Sequence, residues 1–271
     1  MSGGELRLGA VSYHPRVVTI WERLRTYFAD AGVPTDYLLF SNYERLVDAV
    51  LDGTVDIGWN TNTAYVVLDH RANGGTRILG MRDVDRDWAT VLVTRRGDSV
   101  DGVGDLAGRT LALGSRDSGH AAILPLHYLA QQGLDAERQC ELVRFDTDLG
   151  KHGDTGDSEL HVVRAVAAGG ADAGAISAAY FSAFRAEGVP EVADLQVAWR
   201  SPEYYHCNFT VLDSLDHEIG ERWSQALLAM RYDDPSLRPA MELEGVRQWY
   251  RGDRDGYASL TEAMREQALL P

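Results

Sequence analysis

Asp52-Gly53-Thr54-Val55-Asp56-Ile57-Gly58-Trp59-Asn60-Thr61-Asn62-Thr63-Ala64-Tyr65 is the stretch that decides how the rest of the chain is read. Asp52-Gly53 is turn chemistry, because glycine supplies the left-handed backbone that a tight reversal needs. Val55 to Trp59 follows as a short apolar strand. Asn60, Thr61, Asn62 and Thr63 are residue types that cap a helix, here one opening near Ala64. Such a helix start leaves backbone N–H groups unpaired and so offers a surface to an anion or a dipole. The Gly-x-x-Asp-x-Gly spacing of Gly53, Asp56 and Gly58 returns at Gly169, Asp172 and Gly174, and again runs through an apolar piece, to Ser177 and a tyrosine-containing helix. Two related strand-to-helix units so far apart predict two lobes, with a ligand cleft between them.

Outward from this stretch the pattern is β-α-β-α-β. Leu6 to Val11 is an apolar strand ending at Ser12-Tyr13-His14-Pro15, and Val17, Ile20, Trp21, Leu24 and Phe28 have helical spacing. Gly32 stops that helix, Val33 to Phe40 returns as a strand, and Tyr43 to Leu51 is amphipathic. A second series runs from Thr110 to Ile176, with Gly150 to Glu159 read as a polar loop before a helix at Leu160. The expectation is an α/β protein with mainly parallel sheets and two crossing strands, lobe 1 being residues 1–90 plus 200–271 and lobe 2 residues 91–199.

The chain has 271 residues, 45% hydrophobic and 25% charged, as in an ordinary globular protein, and a net charge of −15. That charge argues against nucleic acid or an anionic membrane surface as partner, since both would be repelled over most of the protein. No window has the length of a transmembrane helix. The N-terminal residues run almost directly into a strand without a basic and apolar leader, so a cytoplasmic location is expected, periplasmic or lipid-anchored only if a leader has been removed. The two cysteines, Cys140 and Cys207, have no metal-type spacing, and no metal or cofactor is expected. Of 26 basic residues a single one, Lys151, is lysine.

Several of these segments together resemble the type II periplasmic binding-protein fold, and within it the phosphate, phosphite and phosphonate solute-binding branch. The resemblance rests on the opening at Ser12, the Asp52-to-Gly58 turn and strand, Asp105-Leu106-Ala107-Gly108-Arg109-Thr110-Leu111-Ala112-Leu113-Gly114, and Ser118-Gly119 at a helix start. It implies two lobes and a ligand clamped between helix N-termini. Where that branch is rich in Ser and Thr, this chain has Ser115-Arg116-Asp117-Ser118-Gly119. An ionised Asp117 there would repel a phosphonate oxygen and would sooner accept from an amine or hydroxyl.

The residues expected at the ligand are Ser12, Tyr13, Trp59, Asn60, Thr61, Asn62, Ser115, Asp117, Ser118, His120, Tyr180 and His206. Trp59 and Tyr180 can supply walls, and the others hydrogen bonds. Each has a plainer role as cap or core. Four residues carry a catalytic alternative: His14, Lys151, His152 and Cys207. Lys151 can clamp a carboxylate or serve as an amine nucleophile. Cys207 becomes a nucleophile only with a base such as His14 or His152 beside it, since the neighbouring His206 should point to the opposite face of a strand. Two functions stay open: a binder of a small polar or anionic organic molecule, and an enzyme on the same scaffold. Oligomeric state leaves no trace in the sequence.

Overall fold

Leu6–Val11 (β1) is apolar at five of its six positions other than Arg7 and is buried at all of those, as a strand covered on both faces should be. A computed structural model describes residues 5–270. Arg16–Asp30 (α1) leads to Thr35–Phe40 (β2), and Tyr43–Leu51 (α2), capped by Asn42, leads to Ile57–Asn60 (β3). A Cβ on Gly9 would lie 2.4 Å from Leu46 Cδ1, so α2 packs directly on β1 only because residue 9 has no side chain. Asn62–Arg71 (α3) and Thr76–Arg82 (β4) follow.

The next elements are Thr90–Arg95 (β5), Thr110–Leu113 (β6), a wide π turn at Gly119–Ile123 that continues as Leu124–Gln131 (α4), and Ala136–Gln139 (α5). Glu141–Arg144 (β7), Asp157–Ala167 (α6), Ala173–Ser177 (β8), Ala178–Ala186 (α7) and Leu195–Arg200 (β9) come after them. The chain ends with Asn208–Leu212 (β10), His217–Leu228 (α8), Arg238–Glu244 (α9), Trp249–Tyr250 (β11) and Ala258–Glu266 (α10).

These elements fall into two compact units. Unit 1 holds the chain up to Asp87 with Tyr205–Ala258, and unit 2 holds Trp88–Tyr204 with Ser259–Leu269. The last segment joins unit 2 through an ion pair of His127 Nδ1 with Glu266 Oε2 at 2.7 Å and a hydrogen bond from Gln267 Nε2 to the Ile123 carbonyl.

Unit 1 has a six-stranded sheet in the order β11-β4-β10-β3-β1-β2, and unit 2 a five-stranded one in the order β7-β6-β8-β5-β9. Both are mixed rather than mainly parallel. Strands joined through their own helix pair in parallel, as β1 does with β2 and β3, and β6 with β7 and β8. Strands by which the chain re-enters a unit pair antiparallel: β10 with β3 and β4, and β5 with β8 and β9.

The unit 1 core is aromatic. Phe28 stacks on Trp223 at 4.7 Å, Phe209 lies 4.3 Å from Trp59, and the Trp223 indole N–H donates to Thr35 Oγ1. In unit 2, alternation along β5 sends Val91 and Val93 to one face and Leu92 to the other, so each face of the sheet has its own core. Helix α6 starts at Asp157, three residues before the expected Leu160, and this brings Ser158 and Glu159 into its first turn.

Candidate ligand-binding site

In unit 2, β6 ends at Leu113, and Ser115, Arg116, Asp117 and Ser118 form the turn into the wide helical turn. Ser118 caps it: its Oγ accepts from Ala121 N at 3.2 Å. Ser115 is also buried, donating from Oγ to the Phe145 carbonyl and accepting from Asp148 N at 2.9 Å. Thr90 braces the same turn, its hydroxyl donating to the His120 carbonyl at 2.7 Å and meeting the Tyr204 hydroxyl at 3.0 Å. Ser118 and His120 are fully buried.

The segment after β7 folds over this helix start. Gly150 N donates to Asp117 Oδ2 at 2.6 Å, Lys151 N to the Asp148 carbonyl, and Ser158 N to Asp148 Oδ2. His152 is buried and has a left-handed backbone, φ 55°. At the next residue the backbone comes so close that a Cβ on Gly153 would lie 2.8 Å from both Ser118 Oγ and His120 Nε2. Tyr180 is capped in by Ser177 and donates from its hydroxyl to the Asp154 carbonyl at 2.9 Å. Its ring, the Trp88 ring and the His120 ring are neighbours, with centroids 5.3 to 6.4 Å apart.

Glu159 completes the group. It is fully buried, accepts from Ser177 N at 2.6 Å through Oε1, and faces His120 Nε2 at 3.6 Å with the same oxygen. Burial pushes its carboxyl well above the usual carboxylate range, and the nearby Asp148 and Asp154 add to the rise against the opposing Ser177 hydrogen bonds. Its Oε2, like Ser158 Oγ, is buried without a partner among the described residues.

In unit 1 Asn60 ends β3, Thr61 caps α3 and Asn62 is its first residue, all three fully buried. Thr61 Oγ1 accepts from Ala64 N, Asn62 Nδ2 donates to the Tyr205 carbonyl at 3.3 Å, and Asn60 Oδ1 has no partner among the described residues. Ser12 and His14 are exposed and Tyr13 half-buried, with His14 Nδ1 accepting from Arg16 N. Trp59 is a core residue rather than a ligand wall: it is 4% exposed, among Phe209, Trp249 and the Arg82 guanidinium 5.2 Å from its ring.

His206 and Cys207 correct the expectation of opposite faces. β10 begins only at Asn208, so the alternation of a strand does not reach them, and Cys207 Sγ lies 3.0 Å from His206 Nδ1. That nitrogen is 3.6 Å from Asp85 Oδ1, and Arg82 holds Asp85 through both oxygens, at 2.6 and 2.8 Å. Burial pushes the Asp85 carboxyl up, but the Arg82 charge and hydrogen bonds outweigh it and hold it at about 2. A cavity of about 660 Å³ in the same unit is lined by three arginines, each paired with an acid: Arg251 with Glu221, Arg77 with Asp213 and Arg254 with Asp69.

Residues 9–257 match the family model described as "ABC transporter, phosphonate, periplasmic substrate-binding protein". The chain belongs to this phosphonate-binding family. Among solved structures it is similar to PhnD1 from Prochlorococcus marinus in complex with methylphosphonate, at 16% identity and TM-score 0.74, over 97% of this chain and 98% of that one. XAC2383 from Xanthomonas citri, bound to ATP, is 22% identical with TM-score 0.76, again over 97% and 98%. The aliphatic sulphonate binding protein SsuA from Escherichia coli is 16% identical with TM-score 0.65, over 100% and 94%. No match is found among curated proteins.

The fold is therefore the two-lobed type II fold that the sequence resembles. The expected cytoplasmic location gains no support, because the phosphonate-binding family is described as periplasmic. Among the described residues no helix is long and apolar enough to cross a membrane. Sequence reasoning missed Thr90, Ser158 and Glu159. For Glu159 a signal existed: Asp157-Ser158-Glu159 ahead of Leu160, Val162, Val163 and Val166 is an acidic first turn before an apolar helical run.

Proposed function

We propose that this phosphonate-binding family member is the solute-binding component of an ABC importer, acting on the periplasmic side, and that its solute is a small organic anion with a tetrahedral head group, phosphonate or sulfonate. The head group is received in unit 2 at the helix start Ser118-Gly119-His120. The reading is carried by one observation: in a chain of this family, a buried, serine-capped helix start follows the end of β6. Helix-start amides and the helix dipole stabilise an anion there.

Three of the acids nearby each have an oxygen engaged within the protein. Asp117 accepts from Gly150 N, Asp146 pairs with Arg116, and Asp148 accepts from Ser158 N. On this reading His152 and Tyr180 border the head group and Lys151 belongs to the same loop, while Asn60, Thr61 and Asn62 form the corresponding helix start in unit 1. The enzyme reading is not favoured. Cys207 does have a histidine beside it, His206, but both are buried, where a substrate does not reach them.

The test is calorimetric titration of purified protein with methylphosphonate, methanesulfonate, inorganic phosphate and a carboxylate of similar size. A phosphonate or sulfonate should bind with clear preference. Ser118→Ala, which removes a cap worth about 1 kcal/mol, should weaken that binding about fivefold. Equal binding of the carboxylate, or none of any anion by folded protein, would show the reading to be wrong.

A further inference from the structure

Unit 1 holds a cluster of donors that the solute-binding role does not use. Asp85, His206 and Cys207 each offer one ligand atom, and these atoms all lie within 4.8 Å of one another. The three residues are 0%, 2% and 4% exposed. A carboxylate and an imidazole meeting a thiol in one buried place is an unusual combination for a core, since the first two are costly to bury unless something compensates them.

We propose that Asp85 Oδ1, His206 Nδ1 and Cys207 Sγ form a binding site for a divalent transition-metal ion of zinc-type ligand preference. The site shares no residue with the Ser118 helix start, and the proposal does not rest on the solute reading.

Four features of the geometry carry it. Nitrogen, sulfur and oxygen together are a zinc donor set, and three protein ligands leave one tetrahedral position for an exogenous ligand. Two of the three spacings are within about half an ångström of those a metal needs, and the third, sulfur to oxygen, is at most 4.8 Å. Bonds of about 2.0 to 2.3 Å at tetrahedral angles put ligand atoms about 3.3 to 3.6 Å apart. The nitrogen-to-oxygen separation is 3.6 Å and the sulfur-to-nitrogen separation 3.0 Å, so the sulfur has to move by about half an ångström.

Third, the carboxylate has the outer support that metal-ligating carboxylates have: Arg82 donates to both its oxygens and is itself held by Glu244 at 3.3 Å. Fourth, the charges match. Arg82 and Glu244 balance one another, and the carboxylate with a thiolate balances a divalent cation, so the occupied cluster is neutral in a place where net charge is expensive. Binding displaces the thiol proton of Cys207 to solvent, so each ion bound releases a proton.

The experiment uses the full chain, purified with chelator and freed of it, and titrated with Co²⁺ as a spectroscopic substitute for Zn²⁺. The expected result is about one equivalent bound with a sulfur-to-cobalt charge-transfer band, bleached by Zn²⁺ and absent in Cys207→Ser. Independently, Zn²⁺ at a hundredfold excess over its Kd should raise the Tm of the wild type by about 5–10 °C and leave that of His206→Gln unchanged. The wild-type titration and thermal shift stand even if a variant does not fold. Cobalt bound without a sulfur band, or no thermal shift with Zn²⁺, would overturn the proposal and leave the cluster as a closed ion-pair network around Arg82.

Discussion

Replacing Gly153 by alanine probes how the loop after β7 is seated on the helix start at Ser118. Two costs add at this position. Gly153 has φ 88°, a left-handed backbone that costs an L residue about 1–2 kcal/mol. The new Cβ would also lie 2.8 Å from Ser118 Oγ and from His120 Nε2, and overpacking of this kind costs about 1–3 kcal/mol. The total is about 3 kcal/mol. Gly133 supplies the control, because it is in the same unit, has φ 87°, and has nothing within 4 Å of where a Cβ would stand. Gly133→Ala should therefore cost only the backbone part, about 1 kcal/mol. Urea denaturation of the two variants measures the difference, and anion titration of each measures its consequence. Gly153→Ala should be the less stable by about 2 kcal/mol and should bind its anion at least tenfold more weakly, since His120 and Ser118 must move. If the two variants lose the same stability and bind equally well, the loop does not seat as argued.

Glu159→Gln addresses protonation. A carboxyl whose folded pKa is raised contributes its full stability below the unfolded value of about 4.3 and loses it as pH rises towards the folded value, because the folded state binds the proton more tightly. The wild type should accordingly lose urea stability from pH 5 to pH 8 and the glutamine variant should lose less; parallel profiles for the two would refute this. Trp223→Ala removes a fully buried ring stacked on Phe28 and set against Phe209 at 4.9 Å, and should cost about 3–5 kcal/mol in thermal or urea unfolding of unit 1. A cost under about 1 kcal/mol would mean that the aromatic core collapses into the gap.

How much of this was legible in the sequence depends on the range over which each feature is determined. The turn at Gly53 and the cap at Thr61 are local, set by turn chemistry and a side-chain hydrogen bond three residues away, and they stand where the sequence puts them; the strand runs Ile57–Asn60 rather than from Val55, and the helix opens at Asn62 rather than near Ala64. The buried face of α1 is likewise written in its period: Val17, Ile20, Trp21, Leu24 and Phe28. Sheet direction is not local. β10 and β5 pair antiparallel because of where the chain re-enters each unit, and nothing in their short apolar sequences distinguishes them from parallel strands. The start of α6 was misread for another reason: polar residues in a first helical turn look like loop unless the helix dipole is remembered, which favours acids there.

The candidate site divides in the same way, and the division bears on the chain's charge. A cap such as Ser118 can be found from its type and place, but Glu159 and Thr90 gain their roles only from burial against residues far along the chain. The proposed reading takes an anion, a choice that the sequence alone leaves open. The net charge of −15 tells against extended anionic partners and leaves a small anion open, while an Asp117 beside the helix start would repel a phosphonate oxygen. Charge acts at a site through groups that are near and uncompensated, because exposed charges beyond about 8–10 Å are screened at physiological salt. Around Ser118 the near acids are held in place: Asp146 pairs with the Arg116 guanidinium, while Asp117 accepts from the Gly150 amide and Asp148 from the Ser158 amide and the Thr155 hydroxyl, bonds that fix these carboxylates without cancelling their charge. Glu159, with its pKa raised by burial, is held towards the neutral acid. The carboxylates thus fold the loop onto the helix start, and on the proposed reading the partial positive charge of that start has to outweigh those that keep their charge.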